Sequence, residues 1–253
     1  MTNIILCGCG GRMGLAVSAL AAEHADVNII AGVDVNTATT EQTSGYPVYN
    51  SISEFTEHAD VIVDFSHHSA LPSLLKYAID TSTPIVICTT GHTDEEIALM
   101  NSASEKVAVF SSGNMSIGIN LLIELCKKAS ETLGIDFDVE IVEKHHNKKL
   151  DAPSGTALML ADAISQTRNK TEYVYDRQSV RRKRAPEEIG IHSVRGGTIV
   201  GEHEVIFAGN NEMITLSHSS MSREIFAAGA LRAASFLNGK PAGIYNMSNV
   251  INS

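Results

Sequence analysis

The chain has 253 residues, a net charge of −10, 43% hydrophobic residues, no tryptophan and only 5% aromatics. That length admits one large domain or two smaller ones, and a core of Ala, Val, Ile and Leu suits buried parallel strands. The acidic balance argues against nucleic acid or an anionic membrane as partner. No apolar run is long enough to span a bilayer, and the first residues enter a strand without signal-peptide features, so a cytoplasmic protein is expected.

Residues 3–7 read as a buried strand, 12–24 as a helix with Met13, Val17 and Leu20 inward, and 28–33 as a second strand. Residues 37–45 are polar and loop-like, and Pro47 marks a turn. Strands follow at 60–65, 84–88 and 107–110, with helices at 69–80, interrupted early by Pro72, and at 94–104. This alternation implies right-handed crossovers and a mainly parallel sheet. The pattern then changes. Residues 119–133 form a strong helical period, and 138–143 alternate as a half-exposed strand. A helix follows Ser154 over 157–165, and strand-like runs at 191–194, 202–207 and 213–217 suggest an antiparallel or mixed sheet. A last helix covers 224–237 and is expected to return to the first domain. The expected fold is α/β: an N-terminal Rossmann-like, mainly parallel sheet (1–116 plus 224–253) and a second α+β domain carrying a mixed sheet (117–223).

Two stretches carry chemistry. Gly8-Cys9-Gly10-Gly11-Arg12-Met13-Gly14 follows the first strand and opens the first helix, and Asp34 ends the second strand. Glycines there let backbone N–H groups approach a pyrophosphate, and the acid can bind ribose hydroxyls. The third glycine of the strict fingerprint stands one position earlier than Gly14, so this is a variant. Loops holding Cys88, Thr89 and Thr90, and Ser112, Gly113, Asn114 and Met115, follow strands of the same sheet, where ligands of such sheets bind. The second stretch, from His145 and His146 through Lys148 and Lys149 to Ser154, Gly155 and Thr156, sets proton donors beside a helix start capped by Ser154. Such a start attracts a carboxylate or phosphate.

Other signals read as structural. Cys7, Cys88 and Cys126 sit in apolar runs, and Cys9, within the glycine loop, is the cysteine expected to be oxidation-sensitive. The pairs His67-His68 and His145-His146 lack partners at zinc spacing, so no metal is expected. The run Arg181-Arg182-Lys183-Arg184 reads as a solvated loop rather than a nucleic-acid patch.

The glycine loop, Asp64-Phe65-Ser66, Thr89-Thr90-Gly91, Asn114-Met115-Ser116-Ile117-Gly118 and the segment from Glu140 to Ala157 occur in this order. Together they resemble the dihydrodipicolinate reductase family over the whole chain, and Arg195-Gly196-Gly197 and Gly201-Glu202-His203 are similar to it as well. The resemblance implies hydride transfer from a reduced nicotinamide to a cyclic imine dicarboxylate with loss of water, on the diaminopimelate route to lysine. It implies His145 as general acid, Lys149 as second proton donor or electrostatic partner, and His146 as a substrate contact. Gly155 and Thr156 would hold a substrate carboxylate. Gly8, Cys9, Gly10, Gly11, Arg12, Met13, Asp34, Cys88, Thr89, Thr90, Ser112, Gly113, Asn114 and Met115 would hold the cofactor. A homotetramer joined through the second domain is implied too. Val35, standing where a basic residue would favour a 2′-phosphate, points to NADH over NADPH. Two alternatives stay open: another two-domain dehydrogenase of a small acid, such as an aspartate or homoserine dehydrogenase relative, and a nicotinamide-sensing protein without turnover.

Overall fold

A computed structural model describes residues 1–37 and 45–253, so most of the expected polar loop at 37–45 lies outside the described residues. In chain order the elements are β1 (Thr2–Cys7), α1 (Arg12–Glu23), β2 (Val27–Val33), β3 (Val48–Tyr49), β4 (Val61–Asp64), α2 (Leu71–Thr81), β5 (Ile85–Ile87), α3 (Asp94–Ser104) and β6 (Ala108–Ser111). They continue with α4 (Ile117–Leu133), β7 (Asp138–His145), α5 (Gly155–Ser165), β8 (Glu172–Val174), β9 (Glu188–Arg195), β10 (Gly201–Ala208), β11 (Met213–Ser220), α6 (Glu224–Leu237), β12 (Gly243–Tyr245) and α7 (Met247–Ile251). The chain forms two compact units, 1–117 with 224–253, and 118–223.

The first unit is a Rossmann-like, seven-stranded sheet in the order β12-β6-β5-β4-β1-β2-β3, paired in parallel throughout. Its central strands are buried on both faces, so they read as continuous apolar runs. Ile4 and Leu6 of β1 pack with Val17 and Ala21 of α1 and with Ala230, Ala234 and Leu237 of α6. The alternate residue Ile5 packs on the other face with Leu71, Leu74, Leu75 and Ala78 of α2. Pro72 does not interrupt α2. It lies in the first turn, where its missing N–H has no helical partner to lose. Helix α3 starts from a capping box of Thr93 and Glu96. The short elements β3, β12 and α7 escape sequence reading, because two to five residues show no period.

The second unit carries a mixed sheet in the order β11-β10-β7-β9-β8. Strand β10 runs antiparallel to β7 and β11, whereas β9 runs parallel to β7 and β8. Burial alternates along β7 and β10, as a half-covered sheet requires. The covered face sets Val139, Ile141, Val205 and Phe207 against Ile119, Leu122 and Cys126 of α4 and Leu160, Ala161 and Ile164 of α5. Strand β9 starts at Glu188, earlier than its apolar run suggests. The basic run is a loop with Arg181, Arg182 and Lys183 exposed, as expected, but two of its arginines are also ion-paired. Arg184 pairs with Asp138 and Glu140 at 2.6 and 3.1 Å, and Arg182 pairs with Glu188 at 2.9 Å. Arg177 bridges Glu140 and Glu188 at 2.6 Å each. These carboxylates come from β7 and β9, so Arg182 and Arg184 tie the loop to the sheet.

Candidate active site

In the first unit the glycine loop joins β1 to α1. Gly8 has φ +74°, and a Cβ there would stand 2.6 Å from the Phe65 carbonyl oxygen. A Cβ at Gly14 would stand 2.2 Å from the Gly8 oxygen, so only glycine lets the helix approach the loop. The loop is thus one residue longer than the strict fingerprint, yet its last glycine serves the same close approach. Gly11 caps α1 without a side-chain hydrogen bond, leaving the helix start without the usual side-chain acceptor. The Asp34 carboxylate accepts from the N–H groups of Gly10 and Asn36, each at 2.9 Å.

Two clefts open along the carboxyl ends of these strands. One of about 430 Å³ is lined by Gly8, Gly11, Asp34, Val35, Ser66 and His67 among others. The other, about 250 Å³, is lined by Met13, Phe65, Cys88, Thr90, Ser112, Gly113, Asn114, Met115 and Phe226. Phe226 was not foreseen; it comes from α6, more than a hundred residues from the loops it joins. Gly10 and Arg12 are exposed on the loop itself. Thr89 turns away and donates to the buried Asp64 at 2.8 Å. Cys9 is fully buried, and burial first, with the nearby Asp34 carboxylate, pushes its thiol up to about 11. The expectation of an oxidation-sensitive Cys9 is therefore corrected: the reactive thiolate is suppressed. The His67-His68 pair lies in a turn rather than on a strand, with His68 hydrogen-bonded to Glu96 at 2.8 Å. Among the described residues no cluster of three His, Cys, Asp or Glu side chains is placed to hold a metal, and no helix is long and apolar enough to cross a membrane.

In the second unit His145 ends β7, and Ser154 caps α5, its hydroxyl accepting from the Ala157 N–H at 3.1 Å. Between them stands Glu143, 0% exposed. Arg195 grips it in a two-pronged ion pair at 2.7 Å on both oxygens. His145 Nδ1 lies 2.6 Å from Glu143 Oε2, and the Ser154 N–H donates to Oε1 at 3.1 Å. Burial opposes ionisation, but hydrogen bonds from Arg195, His145 and Ser193 outweigh it and hold the carboxyl at about 2. An ionised Glu143 makes His145 Nδ1 the donor, which leaves Nε2 as the working nitrogen. A Cβ at Gly201 would stand 3.1 Å from that Nε2, so glycine keeps the space beside it open.

Lys149 pairs with Asp151 at 2.8 Å, and that hydrogen bond is the main cause of the lowered Asp151 pKa. Arg195 also donates to the Asp151 carbonyl at 2.7 Å, tying the Lys149 loop to the Glu143 pair. His146 follows the strand end and is partly exposed. A Cβ at Gly155 would meet nothing within 4 Å, so open space lies over the helix start. Sequence reading gave no role to Glu143, Arg195 or His203. Glu143 had a local signal, since i and i+2 on a strand share a face. Arg195 and His203 stood inside stretches resembling the family, but their convergence depends on strand register.

A family profile described as dihydrodipicolinate reductase, N-terminus, matches residues 2–115, and one described as dihydrodipicolinate reductase, C-terminus, matches 118–251. The chain belongs to the dihydrodipicolinate reductase family. It is 53% identical over 252 residues to the 4-hydroxy-tetrahydrodipicolinate reductase of Caldanaerobacter subterraneus subsp. tengcongensis, covering 99% of this chain and 98% of that one. It is 47% identical to the 4-hydroxy-tetrahydrodipicolinate reductase of Clostridium tetani, over 100% and 98% of the two chains. The dipicolinate-bound dihydrodipicolinate reductase of Paenisporosarcina sp. TG-14 shares the fold, with TM-score 0.81 and 24% identity over 98% of this chain and 99% of that chain.

Proposed function

We propose that this protein reduces 4-hydroxy-tetrahydrodipicolinate to tetrahydrodipicolinate with loss of water, on the diaminopimelate route to lysine. The observation that carries the reading is the buried Glu143–His145 pair set beside the Ser154-capped start of α5. Bound NADH or NADPH supplies the hydride. Gly8, Cys9, Gly10, Gly11 and Arg12 with Asp34 would form the pyrophosphate and ribose end of its site, and Met13, Cys88, Thr90, Ser112, Gly113, Asn114 and Met115 the nicotinamide end, with Thr89 behind them on Asp64. The fit rests on the α1 start without a side-chain cap and on the two clefts.

The second unit supplies the acid chemistry. Gly155 and Thr156 present helix-start N–H groups to one carboxylate of the substrate, and His146 contacts the ring substituents. Hydride addition to the conjugated imine builds electron density on the ring, and His145 Nε2 delivers the proton that quenches it. Lys149 adds a second cation or proton donor beside it. In a chain of net charge −10, these cations give the dicarboxylate a local attractive site.

NADH is the preferred cofactor in this reading. Both Asp34 oxygens already serve backbone N–H groups, and Val35, 85% exposed, offers no charge to a 2′-phosphate. Four free cysteines suit a reducing cytoplasm, and the unit with the mixed sheet joins copies into a homotetramer. The test is an assay with enzymatically generated substrate, following nicotinamide absorbance. Turnover identifies the reductase, cofactor binding without turnover favours a sensing protein, and oxidation only with an aspartate or homoserine family substrate favours the other dehydrogenases.

A further inference from the structure

The covered face of the second unit's sheet turns from apolar to polar at one row of residues. Ser193, Glu143, His203 and His218 stand directly opposite one another on β9, β7, β10 and β11. Directly opposite residues share a face and touch across the strands. The next positions along the same face are Ile191, Ile141, Val205 and Leu216, all packed in or against the core. The row therefore marks where the core stops and the chemistry starts. Glu143 has a full set of partners. His203 does not.

His203 is 4% exposed. Its Nε2 lies 3.0 Å from the Ser154 hydroxyl, which also caps α5. Its ring meets the His145 ring edge-to-face, with centroids 5.2 Å apart and an interplanar angle of 73°. Its Nδ1 is buried without a hydrogen-bond partner among the described residues. Burial first, and then the neighbouring His145, pushes its pKa down to about 4, so it is neutral at physiological pH. A half-satisfied imidazole weakens a core that a leucine could fill. Its retention calls for a reason other than packing.

We propose that His203 is a positioning residue for the substrate dicarboxylate: it aims the Ser154 cap, and with it the N–H groups at the start of α5, while buttressing the ring of His145. It touches neither substrate nor cofactor and acts through these two neighbours. The inference rests on the function proposed above and deepens it. One imidazole registers the carboxylate cradle against the proton donor, so that the two move together. Losing the hydrogen bond loosens a helix cap and the anion site built on it.

The experiment compares wild type with His203→Leu, His203→Gln and Ser154→Ala. It reads pyridine-2,6-dicarboxylate binding by calorimetry, substrate KM and kcat, NADH affinity and thermal midpoint. Leucine keeps the bulk and loses the hydrogen bond, whereas the glutamine amide, with both a donor and an acceptor, can restore it toward Ser154. We expect His203→Leu to weaken dicarboxylate binding and raise substrate KM by about tenfold or more, the scale of a lost cap. Its NADH affinity should be unchanged and its thermal midpoint equal to wild type or higher. His203→Gln should recover most of the binding, and Ser154→Ala should reproduce the leucine defect with no further loss in the double variant. A leucine variant that binds the dicarboxylate like wild type, or better than the glutamine variant, overturns the inference. If His203→Leu does not fold, a Ser154→Ala variant with wild-type dicarboxylate affinity overturns it equally. A wild type that neither binds the dicarboxylate nor oxidises NADH with substrate overturns the proposed function and this inference together.

Discussion

Replacing Glu143 by glutamine removes one charge from the most connected buried group of the second unit and leaves its shape. The carboxylate serves Arg195, His145 and the Ser154 N–H at once. A fall from the ordinary 4.5 to about 2 corresponds to roughly 3 kcal/mol in favour of the ionised form, at about 1.4 kcal/mol per pH unit. Because the folded value is depressed, this stabilisation is complete above the unfolded value of 4.5 and is lost as pH falls toward 2. By linkage about 2 kcal/mol of it survives at pH 3.5. Glu143→Gln should therefore lower stability by about 3 kcal/mol at pH 7, in the range for breaking a buried ion pair. The gap to wild type should narrow at pH 3.5. Urea unfolding at the two pH values, read by far-ultraviolet circular dichroism, measures this. The same variant frees the His145 ring, so kcat should fall while NADH affinity holds. An unchanged urea midpoint at pH 7, or a gap that widens on acidification, would refute the reasoning.

Four further outcomes follow from the same geometry. His145→Ala should lower kcat by roughly 10²-fold, the usual loss for a general acid, and an unchanged kcat in a folded variant removes it from the mechanism. Gly155→Val should fold normally, since its Cβ meets nothing, yet raise substrate KM by about tenfold or more with little change for NADH. Equal effects on both ligands would misplace the cradle. At low salt kcat/KM should favour NADH, whereas a ratio of about tenfold toward NADPH, worth ~1.4 kcal/mol, would mean that another basic residue outweighs Asp34. Light scattering should give the mass of four chains, and a monomer mass would exclude the tetramer.

The sequence was most legible where periodicity is long and local. The runs at 3–7, 60–65 and 84–88 lie on β1, β4 and β5, and the helical period at 119–133 lies on α4. The glycine loop was readable because its conformation depends on its own residues and on Phe65 packed against it. The polar row was not. Glu143 and His203 are sixty residues apart, and only the pairing register of β7 with β10 brings them face to face. The ion pairs of the basic run were hidden for a related reason. Asp138 and Glu140, on β7, reach Arg184 only through tertiary structure. Cys9 looked reactive from its loop, but its side chain packs inward against Gly32, where burial decides its chemistry.

The central claim is that a hydride passes from a nicotinamide cofactor to a cyclic dicarboxylate. Its most direct test supplies NADH deuterated on the transferring face of the nicotinamide ring, together with enzymatically generated substrate, and weighs the product by mass spectrometry. The account predicts one deuterium per product molecule, retained from the cofactor, with one equivalent of NADH oxidised. A reduced product that carries no deuterium from either face of the cofactor, or cofactor oxidation without a reduced cyclic dicarboxylate, would contradict it.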